Sequence, residues 1–441
     1  MLKKFTPFEA QQTILKRIPL DDVQAPPYVL ARLEKMFGKP TSASEAVDAI
    51  LDEIRMEGDP ALIRWAQAID GPLPATGVRV PAQTLQDAYN QLEAPLKEAL
   101  QTSIDRVRAF HQAQPLTSWI TTQSGGMLGQ FVRPIQRVGL YIPAGTAPLP
   151  SSIIMTAVIA QVAGVSEIAL ATPLSSKTGK ISPVILATAT MLGIKEVYCV
   201  GGAQAIGALA YGTQSIPKVD KIFGPGNLFV TLAKKKVFGT VGIDNISGPT
   251  ETVVIADESS NPKWVAADLL AQAEHDLLAT AILLTPSDTL IAAVQKEVDL
   301  QFQQRSRKEE IVSSMENRSG AILTKDLAEA MELANQYGPE HMCISTVNPW
   351  QWAEKVQAAG GIFVGENSCE VLGDYVAGPS HVMPTSGSAR FSSPVNLTDF
   401  IHFISIIALD EPTVQKIAPM ANRIALAEQL DGHAYAAEVR I

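Results

Sequence analysis

Basic charge is scarce in this sequence. Lysine and arginine number 35 against 45 aspartates and glutamates, a formal net charge of -10 over 441 residues. No dense basic stripe runs along the chain, and the short run Lys234-Lys235-Lys236 suits a solvated helix end. A protein that tracks a nucleic-acid backbone is thereby excluded. Cysteine is as sparse: Cys199, Cys343 and Cys369 form an odd set with no framework spacing. That rules out a disulfide scaffold and points to a reducing compartment, so a cytoplasmic location is expected. The start, Met1-Leu2-Lys3-Lys4, has charge but no apolar stretch behind it and does not read as a secretory signal. Long hydrophobic runs are lacking too, with one near miss. Residues 138–166 carry no charge, but Pro143, Gly145, Pro148, Pro150 and Gly164 interrupt them and Gln161 sits inside. A buried strand-turn-helix is expected there, not a membrane span. Also missing are internal repeats, low-complexity tracts and the spaced-glycine fingerprint of a Rossmann dinucleotide site.

What is present describes a well-filled globular enzyme. Apolar residues make up 46% and charged residues 18%. The length exceeds what one core usually holds and predicts at least two α/β lobes. Helical spacing of apolar residues covers 44–57 and 82–112, with a Gly58-Asp59-Pro60 break between them. From residue 138 the pattern changes. Segments 138–141, 168–171, 196–200, 221–223, 252–256, 281–284 and 362–364 read as short buried strands, separated by apolar helices such as 152–163 and 262–275. That alternation predicts βαβ units and mainly parallel sheets. Glycine-rich turns follow several strands: Pro143-Ala144-Gly145, Gly201-Gly202-Ala203-Gln204 and Gly224-Pro225-Gly226-Asn227. Such turns serve either as tight reversals or as phosphate cradles at helix starts. Their concentration makes this span the candidate nucleotide lobe. The segment after Arg390 reads as a helical tail.

Six histidines occur, and four of them, His275, His341, His381 and His433, stand in polar, loop-like or helix-end contexts. In Gln272-Ala273-Glu274-His275-Asp276, Gln272 and His275 are three apart on one helical face. An amide oxygen and an imidazole suit zinc or manganese; a polar helix end is the alternative. In Gly338-Pro339-Glu340-His341 a helix over 325–337 stops and a strand begins, setting a carboxylate beside an imidazole at a strand mouth, a ready acid/base pair. Gly373-Asp374-Tyr375 leads into the loop Gly378-Pro379-Ser380-His381, where Asp374 is a candidate anionic ligand unless the loop is only solvated surface. Last, Glu428-Gln429-Leu430-Asp431-Gly432-His433 lies near the C-terminus, where a lone histidine is ordinarily surface decoration.

In order and spacing these segments together resemble the histidinol dehydrogenase family, from the Tyr141-Ile142-Pro143 turn to His433. The resemblance implies two incomplete Rossmann-like lobes with mainly parallel sheets, a helical N-terminal arm and a C-terminal tail. The expected boundaries are 1–35 for the arm, 36–140 with 250–395 for a discontinuous catalytic lobe, 141–249 for the nucleotide lobe and 396–441 for the tail. It implies oxidation of L-histidinol through L-histidinal to L-histidine, the last steps of histidine biosynthesis, with one zinc ion per subunit and two molecules of NAD. A paralogue acting on another small polar alcohol is the alternative. Gln272, His275, Asp374 and His433 stand at zinc-ligand positions, His433 serving the other subunit of a homodimer. Glu340 and His341 stand at the catalytic pair. Thr250, Gln272, His275, His341, Asp374, Glu428 and His433 fall at substrate-contact positions, and Tyr141, Gln204 and Asn227 at cofactor-contact positions. The sequence departs from the commonest family pattern at Ala144, Thr250, Cys369 and Ser380, none of which removes a ligand or the acid/base pair.

Overall fold

Three sheets carry the architecture. The computed structural model describes residues 1–17, 25–144, 147–175 and 178–441. Its strands are β1 (Lys4–Phe5), β2 (Trp119–Thr121), β3 (Met127–Pro134), β4 (Arg137–Tyr141), β5 (Glu167–Thr172), β6 (Glu196–Cys199), β7 (Lys221–Phe223), β8 (Gly242–Ile243), β9 (Glu251–Ala256), β10 (Thr280–Thr285), β11 (Gly320–Leu323), β12 (His341–Ser345), β13 (Gly361–Val364) and β14 (Ile401–Ala408). A five-stranded sheet runs β6-β5-β4-β7-β8, and a six-stranded one β1-β11-β10-β9-β12-β13. Every pairing in both is parallel. Leaving β1 aside, each follows the doubly wound order 3-2-1-4-5, one strand short of a full Rossmann sheet. The two incomplete Rossmann-like lobes expected from the sequence are therefore present.

Residues 138–144 and 147–166 hold the strand and the helix expected there. Pro150 opens the helix Pro150–Ala163 at its first turn, and Gly164 closes it in the left-handed conformation (φ 89°). Ser151 to Ala160 are all buried, because the helix is covered on both sides by the sheet and by helical layers. Gly145 of the Pro143-Ala144-Gly145 turn lies outside the described residues, as do 18–24 of the arm.

The structure redraws four sequence expectations. The 82–112 helix is two helices, Ala82–Gln91 and Ala94–Gln112, broken where Leu92 and Glu93 turn extended ahead of Pro95. Helices between residues 43 and 112 pack onto the five-stranded sheet, not onto the six-stranded sheet to which 36–140 had been assigned: Val47, Ile50, Leu62 and Ala66 join the core beneath Tyr198, and Leu85, Ile104 and Val107 join that beneath Ile153. The arm is not wholly helical, since β1 adds to β11. Nor is the tail: β14 pairs antiparallel with β3 over eight residues, in a three-stranded sheet β14-β3-β2. Its alternation had been hidden because most of its residues are exposed. Phe400, just before it, is fully buried and stacks on Phe223 at 4.0 Å, so the tail is rooted in the lobe of the five-stranded sheet.

Candidate active site

The six-stranded sheet gathers its polar residues at the amino ends of β9 and β12. Thr250 precedes β9, Glu340 precedes β12, and His341 opens β12 in register with Thr252. Ligands of open parallel sheets ordinarily collect at the carboxyl ends. Here the polar cluster is at the opposite end, and the C-termini of two long helices, the negative ends of their dipoles, point at it. The helix Leu327–Tyr337 stops at Gly338 (φ 59°), and Pro339 cannot continue it. The chain therefore reverses and delivers Glu340 at the strand mouth, where Gly361 N–H holds its carbonyl at 2.8 Å. The helix Pro262–Ala273, started by the Asn261 side chain on Lys263 N–H, brings Gln272 in from a second side. That helix ends two residues before His275, which sits in the following turn with its N–H on the Gln272 carbonyl at 3.2 Å.

Glu340 is buried. Thr250 Oγ1 donates to its Oε2 at 2.5 Å, and Glu251 N–H does so at 3.0 Å. Burial pushes its acid up to about 8, the two donors pull it down, and the carboxylates of Glu251 and Asp374 add to the rise. His341 is buried as well, and neither ring nitrogen has a hydrogen-bond partner among the described residues. Its Nδ1 lies 3.9 Å from Glu340 Oε2 and 3.7 Å from Glu370 Oε1, and its Nε2 lies 3.9 Å from Asp374 Oδ1. Burial lowers its pKa to about 4, against the pull of Asp374. The result is a neutral imidazole, free to accept a proton, beside a carboxyl group poised near neutrality. Gln272 is fully buried, and its amide is satisfied in one orientation: NH2 toward Glu370 Oε1 (2.5 Å), oxygen toward Glu251 N–H (2.7 Å) and the Thr250 hydroxyl (2.6 Å). The single Thr250 proton thus has two acceptors. Asp374 lies in the short helix Glu370–Tyr375, and its carbonyl is 2.8 Å from His381 Nδ1.

Thr250, Gln272, Glu340, His341 and Asp374 are thus one cluster, and His275 is near enough to oppose protonation of both His341 and His381. Glu428 and His433 are not part of it. His433 is exposed on the helix Asp431–Glu438, which packs on the helix Glu411–Ala427. Among the described residues, no three His, Cys, Asp or Glu side chains of the single chain form a group able to hold a metal ion. Tyr141 ends β4 and Asn227 follows β7, on either side of the switch point of the five-stranded sheet, and Gln204 lies on the helix Gly202–Tyr211 that follows β6. Tyr141 accepts from Gly202 N–H at 3.2 Å, Asn227 caps the helix Leu228–Val237, and Gln204 Nε2 donates to Asp70 at 3.1 Å while its buried Oε1 has no partner among the described residues.

Three residues escaped the sequence reading. Glu370, 1% exposed with Oε2 unpartnered, has its acid raised well above the usual range by burial. Its signal was the four-residue spacing to Asp374, which puts both carboxylates on one helical face. Glu251, buried beside Thr250, opens β9 one residue ahead of the run 252–256 that the sequence marks as a strand. Asp70, which accepts from Gly201 N–H at 2.8 Å, lies far away in sequence and gave no signal.

The histidinol dehydrogenase family model matches residues 34–441. A histidinol dehydrogenase of Deinococcus radiodurans is 48% identical over 421 residues, 95% of each chain. One of Thermus thermophilus is 46% identical over 399 residues, 90% of this chain and 95% of that one. The crystal structure of histidinol dehydrogenase from Elizabethkingia anophelis superposes with a TM-score of 0.90 at 34% identity, covering 100% of this chain and 98% of that one. The chain belongs to the histidinol dehydrogenase family.

Proposed function

We propose that the protein oxidises L-histidinol through L-histidinal to L-histidine, with Glu340 and His341 moving the protons. The observation that carries this reading is the pairing of a buried, neutral, unpartnered imidazole with a buried carboxyl group whose acid stands at about 8. His341 accepts the alcohol proton as the carbon is oxidised. Glu340, once ionised, takes a proton from a water that attacks the aldehyde. Once His341 has passed that first proton on to solvent, it accepts the proton of the resulting hydrate in the second oxidation. Thr250 and Glu251 N–H hold the Glu340 carboxylate in place. Enclosure of the aldehyde between the two steps protects it from side reactions.

The surroundings suit a cation. Asp374 and two helix C-termini face the same site, beside Glu340 and Glu370, so it favours a divalent ion and the substrate's ammonium. Gln272, His275 and Asp374 offer oxygen and nitrogen donors of the kind zinc takes, and the fourth donor is His433 of a second copy. Exposed apolar residues on the tail helices and the antiparallel sheet, among them Ile424, Tyr435, Phe403 and Ile407, support such a pairing. The unpartnered Gln204 Oε1, with Tyr141 and Asn227 at the switch point, fits a nucleotide donor group, and the dinucleotide is taken to be NAD. When bound, NAD supplies the hydride acceptor and zinc an anchor for the substrate's imidazole and amine. Among the described residues no helix is long and apolar enough to cross a membrane.

The test separates the two oxidations. Glu340→Gln should slow histidinal oxidation more than histidinol oxidation, and His341→Asn should slow both, by about a hundred- to ten-thousand-fold for a general acid/base group. Small, equal losses at both stages in both variants would remove the pair from the mechanism.

A further inference from the structure

Behind Glu340 lies a contact that none of the chemistry above uses. Arg17, from the N-terminal arm and outside the span matched by the family model, reaches into the six-stranded lobe. Its Nη1 pairs with Glu251 Oε1. Its Nη2 donates to the carbonyls of Tyr337 at 2.7 Å and Gly338 at 3.3 Å. The guanidinium lies 3.6 Å over the centre of the Tyr337 ring. Each partner is one step from Glu340. Tyr337 and Gly338 form the helix end from which Glu340 is delivered, and Glu251 supplies the backbone N–H that grips its Oε2.

We infer that Arg17 is a positioning residue for the aldehyde-oxidising step: it joins the helix end that carries Glu340 to the strand mouth that grips the Glu340 carboxylate. A planar cation with several fixed donors is what such a joint requires. The last carbonyls of a helix have no partners of their own and favour a positive charge. The Glu251 carboxylate, 6% exposed, needs a counter-ion. The Tyr337 face gives the guanidinium a stacking surface that fixes its plane. Lysine keeps the charge but loses the fork and the stack. Arg17 touches neither substrate nor cofactor in this reading; it acts through Glu340. Ser386 N–H is the other donor to Glu251, at 3.2 Å, so the loop near His381 is held on the same carboxylate.

The inference rests on the role given to Glu340, and the experiment separates the two. Arg17→Lys leaves Glu251 with a cation and is the variant expected to fold; Arg17→Ala is made beside it, and Glu340→Gln is the reference. Histidinal and histidinol oxidation are measured separately, with thermal melting as a check on folding. Arg17→Lys should lower kcat for histidinal by about tenfold, change histidinol oxidation less than threefold, and leave KM for both nearly unchanged. Added guanidinium should restore part of the histidinal rate to Arg17→Ala. If Glu340→Gln slows the aldehyde step selectively while folded Arg17→Lys oxidises histidinal at the wild-type rate, the Arg17 inference alone is wrong. Equal losses at both steps in Arg17→Lys would make Arg17 a purely structural residue and also overturn the inference. If Glu340→Gln shows no selective loss, the role of Glu340 and the inference built on it fall together.

Discussion

Replacing Thr250 by valine removes one hydroxyl and keeps the branched shape. In the folded protein that hydroxyl lies 2.5 Å from Glu340 Oε2 and is one of two donors stabilising the ionised carboxylate. A hydrogen bond to a charged group contributes roughly 1.5–3 kcal/mol, and about 1.4 kcal/mol corresponds to one pH unit of titration. Loss of the hydroxyl should therefore move the midpoint of histidinal oxidation upward by about one to two pH units. The sign follows from the protonation state. Glu340 is already raised to about 8, so its carboxylate is the minor form at pH 7 and grows as pH rises. Withdrawing a donor makes that form rarer. At pH 7 the aldehyde step should slow by about ten- to a hundredfold, whereas at high pH the variant approaches the wild-type plateau. Thr250→Ser keeps the hydroxyl and should keep the profile. The assay is NADH formation from histidinal across pH 6 to 10, with each variant's melting recorded. A Thr250→Val profile superimposable on wild type would refute the coupling of this hydroxyl to the ionisation of Glu340.

Other outcomes follow from the same structure. Stripping the protein with a chelator should abolish turnover and zinc should restore it; His275→Ala should bind zinc more weakly in competition with a chromogenic chelator, and full activity in verified metal-free protein would contradict the ligand assignment. Mixed dimers of His341→Asn and His433→Ala should regain about a quarter of wild-type activity, since one site of each mixed dimer inherits both lesions and the other neither. With subunit exchange shown by tagged co-purification, no recovery would mean that His433 serves its own chain. His111, buried and lowered to about 4 by burial, is protonated more readily in the unfolded chain. Its contribution is present above pH 6.5 and lost as pH falls toward 4, on the order of 1–2 kcal/mol between pH 7 and pH 5. His111→Gln should show that much less acid destabilisation in denaturant titrations, and an unchanged difference would exclude the assignment.

The parts of the fold that rest on local signals were readable from the sequence. Uninterrupted apolar runs such as 252–256 and 281–284 are strands buried on both faces, and period and length identify them. β14 was missed because its side chains are mostly exposed and its partner, β3, lies about 270 residues earlier in the chain. Pairing at that distance leaves no local trace. The packing of helices 43–112 onto the five-stranded sheet was hidden for the same reason, since an apolar stripe says that a helix is covered but not by what. In the site, Gln272, Glu340, His341 and Asp374 stood out as chemistry-bearing side chains at element ends. Glu370 and Glu251 did not, because each reads as an ordinary polar residue until its neighbours are known. That β9 and β12 lie side by side, so that Thr250 meets Glu340 at their amino ends, follows only from the sheet order, which no motif records.

The central claim is that one site carries both oxidations on the Glu340–His341 pair. Its most direct test is the number of NADH molecules formed per histidinol consumed by zinc-loaded enzyme, with the organic product identified. The account predicts two NADH and one histidine, with no free histidinal accumulating. One NADH per histidinol with histidinal released, or no NADH at all, would contradict it.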